Sequence, residues 1–204
     1  RSLTRNLRVI QVFSLFCFIG MVFYAWQLSL EIILWMAPFG VLTVLYAIPF
    51  LSGFQKNLRN VSYLKIIIIA LVWAGVTVLL PLIDAKQIPN EITVYQFVQR
   101  FLFVCVLILP FDIRDMQFDA ISLQTIPQKI GIEKTKKLGY VLLLFTLVFE
   151  FLISTNNVTR NAYLIVFFIT LFFLMRAGKN QPKYYSSFWV EFIPILWFLL
   201  LNLV

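Results

Sequence analysis

Three of the nine acidic residues in this 204-residue chain stand within one short run, Asp112-Ile113-Arg114-Asp115-Met116-Gln117-Phe118-Asp119. Offsets of zero, three and seven place Asp112, Asp115 and Asp119 on one face of a helix, where three negative charges repel unless a cation or a basic partner sits among them. An all-oxygen site of this kind suits a hard divalent cation. Mg²⁺ in particular is held by one or two carboxylates plus water and substrate phosphates, which leaves it free to bridge to a diphosphate. The competing reading is a solvated polar helix cap, its acids paired with Arg114, Lys134 and neighbouring lysines.

The elements that carry this cluster are set by composition. Hydrophobic residues make up 61% of the chain and charged residues 13%, with 22 Phe, 8 Tyr and 5 Trp. A soluble domain averages about 45–50% apolar and about 25% charged residues. Mean hydropathy is +0.91, so the expected fold class is all-α, a polytopic transmembrane helical bundle forming a single domain over residues 1–204. Seven apolar stretches are candidate spans: 9–26, 31–51, 63–83, 92–111, 138–154, 161–176 and 187–204. Each approaches the length a helix needs to cross hydrocarbon, and helices are required because every backbone amide must be satisfied internally. Prolines 38, 49, 81, 110 and 194 lie in or beside these stretches, where membrane helices accept them as kinks or terminators.

The chain has no His, which excludes His-based triads and the common zinc hydrolases. Cys17 and Cys105 lie inside apolar runs without metal-ligand spacing and read as lipid-facing or core thiols. The net charge of +8 would suggest nucleic acid in a soluble protein, but here the basic residues sort by loop. Those before the first stretch, and between the second and third, fourth and fifth, and sixth and seventh, hold fourteen of the seventeen; the opposite loops hold only Lys86 and Arg160. By the positive-inside rule the N-terminus and the acidic cluster are cytoplasmic, on the inner face of a cytoplasmic membrane, and no nucleic-acid partner is expected. The seventeenth, Arg100, lies within the fourth stretch at a depth comparable to Glu150 in the fifth, and intramembrane charges pair or line a cavity. An Arg100–Glu150 bridge facing the bundle interior is therefore expected.

After the cluster the chain continues as Thr125-Ile126-Pro127-Gln128-Lys129-Ile130-Gly131. The run from Asp112 to Gly131 resembles the second aspartate-rich motif of the UbiA-type intramembrane prenyltransferases. The three Asp, Thr125, Pro127 and Gly131 match that pattern. A second stretch, Tyr46 with Leu58-Arg59-Asn60-Val61 leading through Lys65, is similar to the family's segment of Tyr and basic residues that contact the diphosphate. Two features depart from the pattern: no first aspartate motif precedes the first stretch, and Gln124 stands where a basic residue usually does.

The resemblance implies a bundle matching helices three to nine of a nine-helix fold, with the first two helices absent from this chain. It further implies Mg²⁺-dependent ionisation of a prenyl diphosphate and transfer of its isoprenyl group to an acceptor. Asp112, Asp115 and Asp119 would hold the metal, and Arg59, Lys65, Arg114 and Lys129 would bind the diphosphate. A snorkelling role for Lys65 remains open, as does an Arg114–Asp119 pairing. The rival expectation is a non-catalytic isoprenoid- or lipid-binding or transport protein. A CDP-alcohol phosphotransferase is disfavoured, because residues 112–119 carry neither the Gly nor the Ala-Arg pair of that pattern.

Overall fold

The computed structural model describes residues 7–47, 64–117, 125–182 and 184–203. Every regular element among them is helical. In chain order they are α1 (Leu7–Ala25), α2 (Leu30–Ala47), α3 (Leu64–Asp84), α4 (Glu91–Asp115), the short α5 (Ile126–Ile130), α6 (Ile132–Ile153), α7 (Asn157–Arg176) and α8 (Tyr185–Asn202). Among the described residues the seven longer helices overlap the seven apolar stretches. Five of them, α2, α3, α4, α7 and α8, are long and apolar enough to cross a membrane. The apolar helix Val9–Ala25 falls short in length, and α6 opens with Glu133, Lys134, Lys136 and Lys137 and carries Glu150 near its far end.

The helices end where local chemistry stops them. Ser29 Oγ accepts from the Ile32 amide ahead of α2, at 3.3 Å. Asn90 caps α4: its Oδ1 accepts from the Thr93 amide at 3.0 Å while the Thr93 hydroxyl accepts from the Asn90 amide at 3.3 Å, a reciprocal box that satisfies two otherwise orphaned donors. Asn156 Oδ1 does the same for the Val158 amide at the start of α7, at 3.0 Å. Gly131, at φ 82°, turns the chain between α5 and α6, a left-handed conformation that a side chain would disfavour.

Two helices widen into π turns, at Gly75–Leu79 in α3 and Tyr185–Val190 in α8. Each lies within about a turn of a proline further along, Pro81 and Pro194. Proline lacks an N–H and crowds the carbonyl four residues back, and a wider turn accommodates both defects. The i→i−5 bonds are explicit: Leu80 N–H donates to Gly75 O, and Glu191 N–H to Ser186 O.

Helix α4 is the central column. It packs most extensively on α6 and α3, and also meets α7 and α8. Its Phe103, Val106 and Leu109 are buried against Leu143 of α6, Val166 of α7 and Ile193 of α8. The outward faces are apolar too: Phe13, Phe16, Trp35, Phe145 and Phe168 are all exposed. A surface this apolar matches hydrocarbon as solvent, not water. In α2 only Ile32 is buried.

A close crossing lies at Gly139 of α6, where three helices meet. A Cβ there would lie 2.6 Å from Leu174 Cδ2 and 2.8 Å from Leu109 Cδ1, and both leucines are themselves fully buried and cannot swing away. Gly139→Val is expected to destabilise the bundle by about 1–3 kcal/mol through overpacking. Its unfolding midpoint in a mixed-micelle denaturant titration should fall below that of wild type, and an unchanged midpoint would contradict this packing.

Candidate functional site

The end of α4 brings two of the three expected carboxylates together. Asp112 and Asp115 sit one turn apart in the last turns of the helix. The helix stops at Asp115, with Met116–Gln117 forming a turn, so among the described residues the helix carries these two of the three carboxylates. Asp119 and Arg59 lie outside the described residues. Among the described residues no group of three acidic, Cys or His side chains converges to hold a metal.

Two carboxylates at a helix C-terminus oppose the negative end of its macrodipole, so each needs a cation. Asp112 is almost wholly buried, and Lys65, in the first turn of α3, reaches across to donate to its Oδ1 at 2.9 Å. The Lys65 side chain is 24% exposed and that of Asp112 2%, so the ammonium brings its charge in from the rim to a carboxylate with little access of its own. Arg114 serves Asp115: Nε donates to Oδ1 at 2.7 Å and Nη2 to Oδ2 at 3.0 Å. This fork is partly exposed, with side-chain accessibilities of 27% and 30%, and the guanidinium also lies 5.4 Å from the Phe111 ring centroid. Lys129 stands exposed in the last turn of α5.

The segment that follows is fixed by its own side chains. Gln128 Oε1 accepts from the Thr125 amide at 3.0 Å, and its Nε2 donates to Met116 O at 3.4 Å, tying α5 to the end of α4. Gln181 Nε2 donates to Pro110 O at 2.9 Å and to Ser186 Oγ at 2.8 Å, holding the α7–α8 connection against the same helix. Next to Met116 a groove of about 940 Å³ opens, lined in part by Gln128, Lys134, Lys136 and Lys179. Lys136 is anchored there, donating to Met175 O at 3.0 Å.

Carboxylate oxygens such as those of Asp112 and Asp115 are the donor type a hard divalent cation takes. The Lys65–Asp112 contact escapes a linear reading, because the two residues are 47 positions apart and Lys65 reads there as a diphosphate ligand or a snorkelling side chain. The only signal for it was the general one that a carboxylate inside an apolar helix needs a cation.

Near the middle of α4 the expected Arg100–Glu150 bridge is not a direct ion pair, although each charge lies within electrostatic reach of the other. Glu150 is buried, and its Oε2 accepts from Gln99 Nε2 at 2.7 Å. Arg100, the next residue on α4, lies over the Trp197 ring at 3.8 Å instead. Neighbouring residues on a helix project about 100° apart, so with Gln99 aimed at α6, Arg100 is turned toward α8.

Fold and site together define an all-helical membrane bundle with a paired carboxylate and cation site at one end of its central helix. No protein-family model, curated protein or solved structure matches the chain.

Lys65→Met would leave the Asp112 carboxylate buried beside an apolar side chain. Breaking a buried pair by removing one partner is costly, and a loss of about 3 kcal/mol is expected in a denaturant titration. The double variant Lys65→Met/Asp112→Leu should recover most of it. If the double variant is as unstable as the single one, the pairing is not what holds α3 to α4.

Proposed function

We propose that this chain is a UbiA-type membrane prenyltransferase, moving an isoprenyl group from a prenyl diphosphate to an acceptor. The observation that carries the reading is the pair Asp112 and Asp115 at one end of a helical bundle, each within reach of a cation, inside the stretch that resembles the family's second aspartate-rich motif. On this reading the chain has seven spans matching the family's third to ninth helices. The concentration of Lys and Arg in alternate loops supports a cytoplasmic location for the Asp end, in the inner membrane.

Asp112, Asp115 and Asp119 would hold Mg²⁺, which when bound supplies positive charge to offset that gathering on the departing diphosphate. The chain's own cations do the rest. Arg114 and Lys65 rest on carboxylates; with metal on the acid side, their N–H groups are available to the diphosphate oxygens, joined by Arg59 and Lys129. Charged donors fixed by the fold stabilise the leaving group without reorganising at the moment of ionisation. The apolar interior of the bundle suits an isoprenoid tail.

The rival is a non-catalytic isoprenoid- or lipid-binding or transport protein, favoured by one observation: both described carboxylates are already neutralised by basic side chains of the same chain.

The protein reconstituted in liposomes should release diphosphate from geranyl, farnesyl or longer prenyl diphosphates only when Mg²⁺ is present. Asp115→Ala and Asp119→Ala should each lower the rate by about 100-fold or more, the scale of loss on removing one electrostatic stabiliser. Variants as active as wild type would refute the metal site. Mg²⁺-independent binding without release would favour the non-catalytic reading.

A further inference from the structure

The groove beside Met116 takes no part in the chemistry above: neither Asp112 and Asp115 nor Lys65, Arg114 and Lys129 line it. Its walls come from four places in the chain, the end of α4 at Met116, the helix α5, the first turns of α6, and residues 177–179 after α7. Two of these walls are tied to α4. Gln128 Nε2 holds α5 to Met116 O at 3.4 Å, and Gln181 Nε2 holds the α7–α8 connection to Pro110 O at 2.9 Å. A space of about 940 Å³ lies within the roughly 300–1,000 Å³ of ligand clefts, and walls fixed in advance spare a ligand the cost of ordering them.

The lining is positive. Lys134, Lys136 and Lys179 stand against a single acid, Glu133. Lys136 is partly engaged: its Nζ donates to Met175 O at 3.0 Å and stands 3.9 Å from Glu133 Oε1. Lys134 and Lys179 are exposed and, among the described residues, enter no ion pair or hydrogen bond. Each therefore presents three N–H donors to whatever enters. The Glu133 side chain is 83% exposed, so water screens its opposing charge. The first turn of α6 adds to the field. Gly131 brings no side chain to cap that helix, and the amides of Ile132, Glu133 and Lys134 are those an α-helix leaves without an internal partner, at the positive end of its dipole.

The occupant follows from where the groove opens. It lies at the ends of the long helices α4, α6 and α7, level with the boundary of the apolar zone. Further into that zone on α7, Met175 and Phe172 are both exposed, and their spacing of three puts them on one side of the helix. Met175 is also the residue whose carbonyl seats Lys136. An oxyanion in the groove thus has an apolar track beside it leading into hydrocarbon. A free anion would use the lysines but not the track, whereas a phospholipid uses both.

We infer that the groove binds the phosphate of an anionic phospholipid headgroup. Lys134 and Lys179 are its ligating cations, Lys136 strengthens the local field, and the acyl chains lie along Met175 and Phe172. Gly178 keeps the space open. A Cβ there would meet nothing within 4 Å, and its φ lies outside the left-handed region, so the backbone can carry a large side chain that fills ligand space. The site does not rest on the prenyl-transfer reading and needs neither Mg²⁺ nor a prenyl diphosphate.

The test is native mass spectrometry of the detergent-purified protein without Mg²⁺, titrated with dioleoyl phosphatidylglycerol. Dioleoyl phosphatidylcholine is the zwitterionic comparison and glycerol phosphate the free phosphate. Phosphatidylglycerol should give a saturable one-to-one adduct tighter than that of phosphatidylcholine, and glycerol phosphate at the same concentration should not displace it. Lys134→Gln and Lys179→Gln should each weaken the adduct about fivefold, the contribution of one basic residue beside an anionic lipid surface. Gly178→Phe, which leaves every charge in place, should weaken it by at least as much. Lys137→Gln, next to Lys136 but outside the groove, should bind as wild type does. Equal binding of the two lipids, displacement by glycerol phosphate, adducts that never saturate, or a loss in Lys137→Gln as large as in Lys134→Gln would each overturn the inference. The exposed lysine variants keep the test decisive if Gly178→Phe does not yield folded protein.

Discussion

A charge inside this bundle must bring its partner with it, and that requirement organises the arrangement of the helices. Hydrocarbon offers no water to an ionised group, so a carboxylate or guanidinium persists only beside an opposite charge, a hydrogen-bond donor or an aromatic face. Helix α4 carries such groups at two levels. At its end, Asp112 fixes the start of α3 through Lys65. Further along its axis, Gln99 reaches Glu150 of α6 and Arg100 lies on Trp197 of α8. These contacts draw three different helices onto α4 and set their register in a way that apolar packing, tolerant of sliding, does not. Gly139, pressed between Leu109 and Leu174, then fixes how closely α6 approaches.

The helical architecture was legible because hydrophobic length is a local property. Seven apolar stretches became seven helices, and Asn90, Gly131 and Asn156 mark boundaries that capping rules anticipate. How many of the seven can span was less legible, since α6 mixes charges into its opening turn and α1 has a shorter apolar run. The π turns in α3 and α8 were also hidden. A proline announces a defect in the ladder, but whether the helix kinks or widens depends on what packs beside it, as Phe39 packs against Gly75.

The site was legible in residue type and less so in pairing. Asp112 and Asp115 stand out in any reading of so acid-poor a chain. Their partners required three dimensions: Lys65 is brought to Asp112 by packing of α3 on α4, and Arg114 forks onto its sequence neighbour Asp115. The Arg100–Glu150 pair falls short of direct contact for an angular reason. Depth along a helix follows from counting residues, but direction around it differs by about 100° between Gln99 and Arg100, and it is the neutral amide that faces Glu150.

The two pairs at the end of α4 differ in how readily they yield, and that difference bears on the proposed chemistry. The Arg114–Asp115 fork is nearly a third exposed; such pairs contribute on the order of 0–1 kcal/mol, so releasing Arg114 costs little. Asp112 is buried, and separating it from Lys65 would strand a carboxylate in an apolar surround, a far larger penalty. An anionic ligand arriving at this end would thus recruit Arg114 first. Lys65 would follow only if a compensating cation were already on Asp112. Until then the Lys65–Asp112 contact keeps α3 seated on α4. On the proposed function, diphosphate capture by Lys65 would be conditional on cation binding by Asp112, an ordering that follows from unequal burial of two otherwise similar ion pairs.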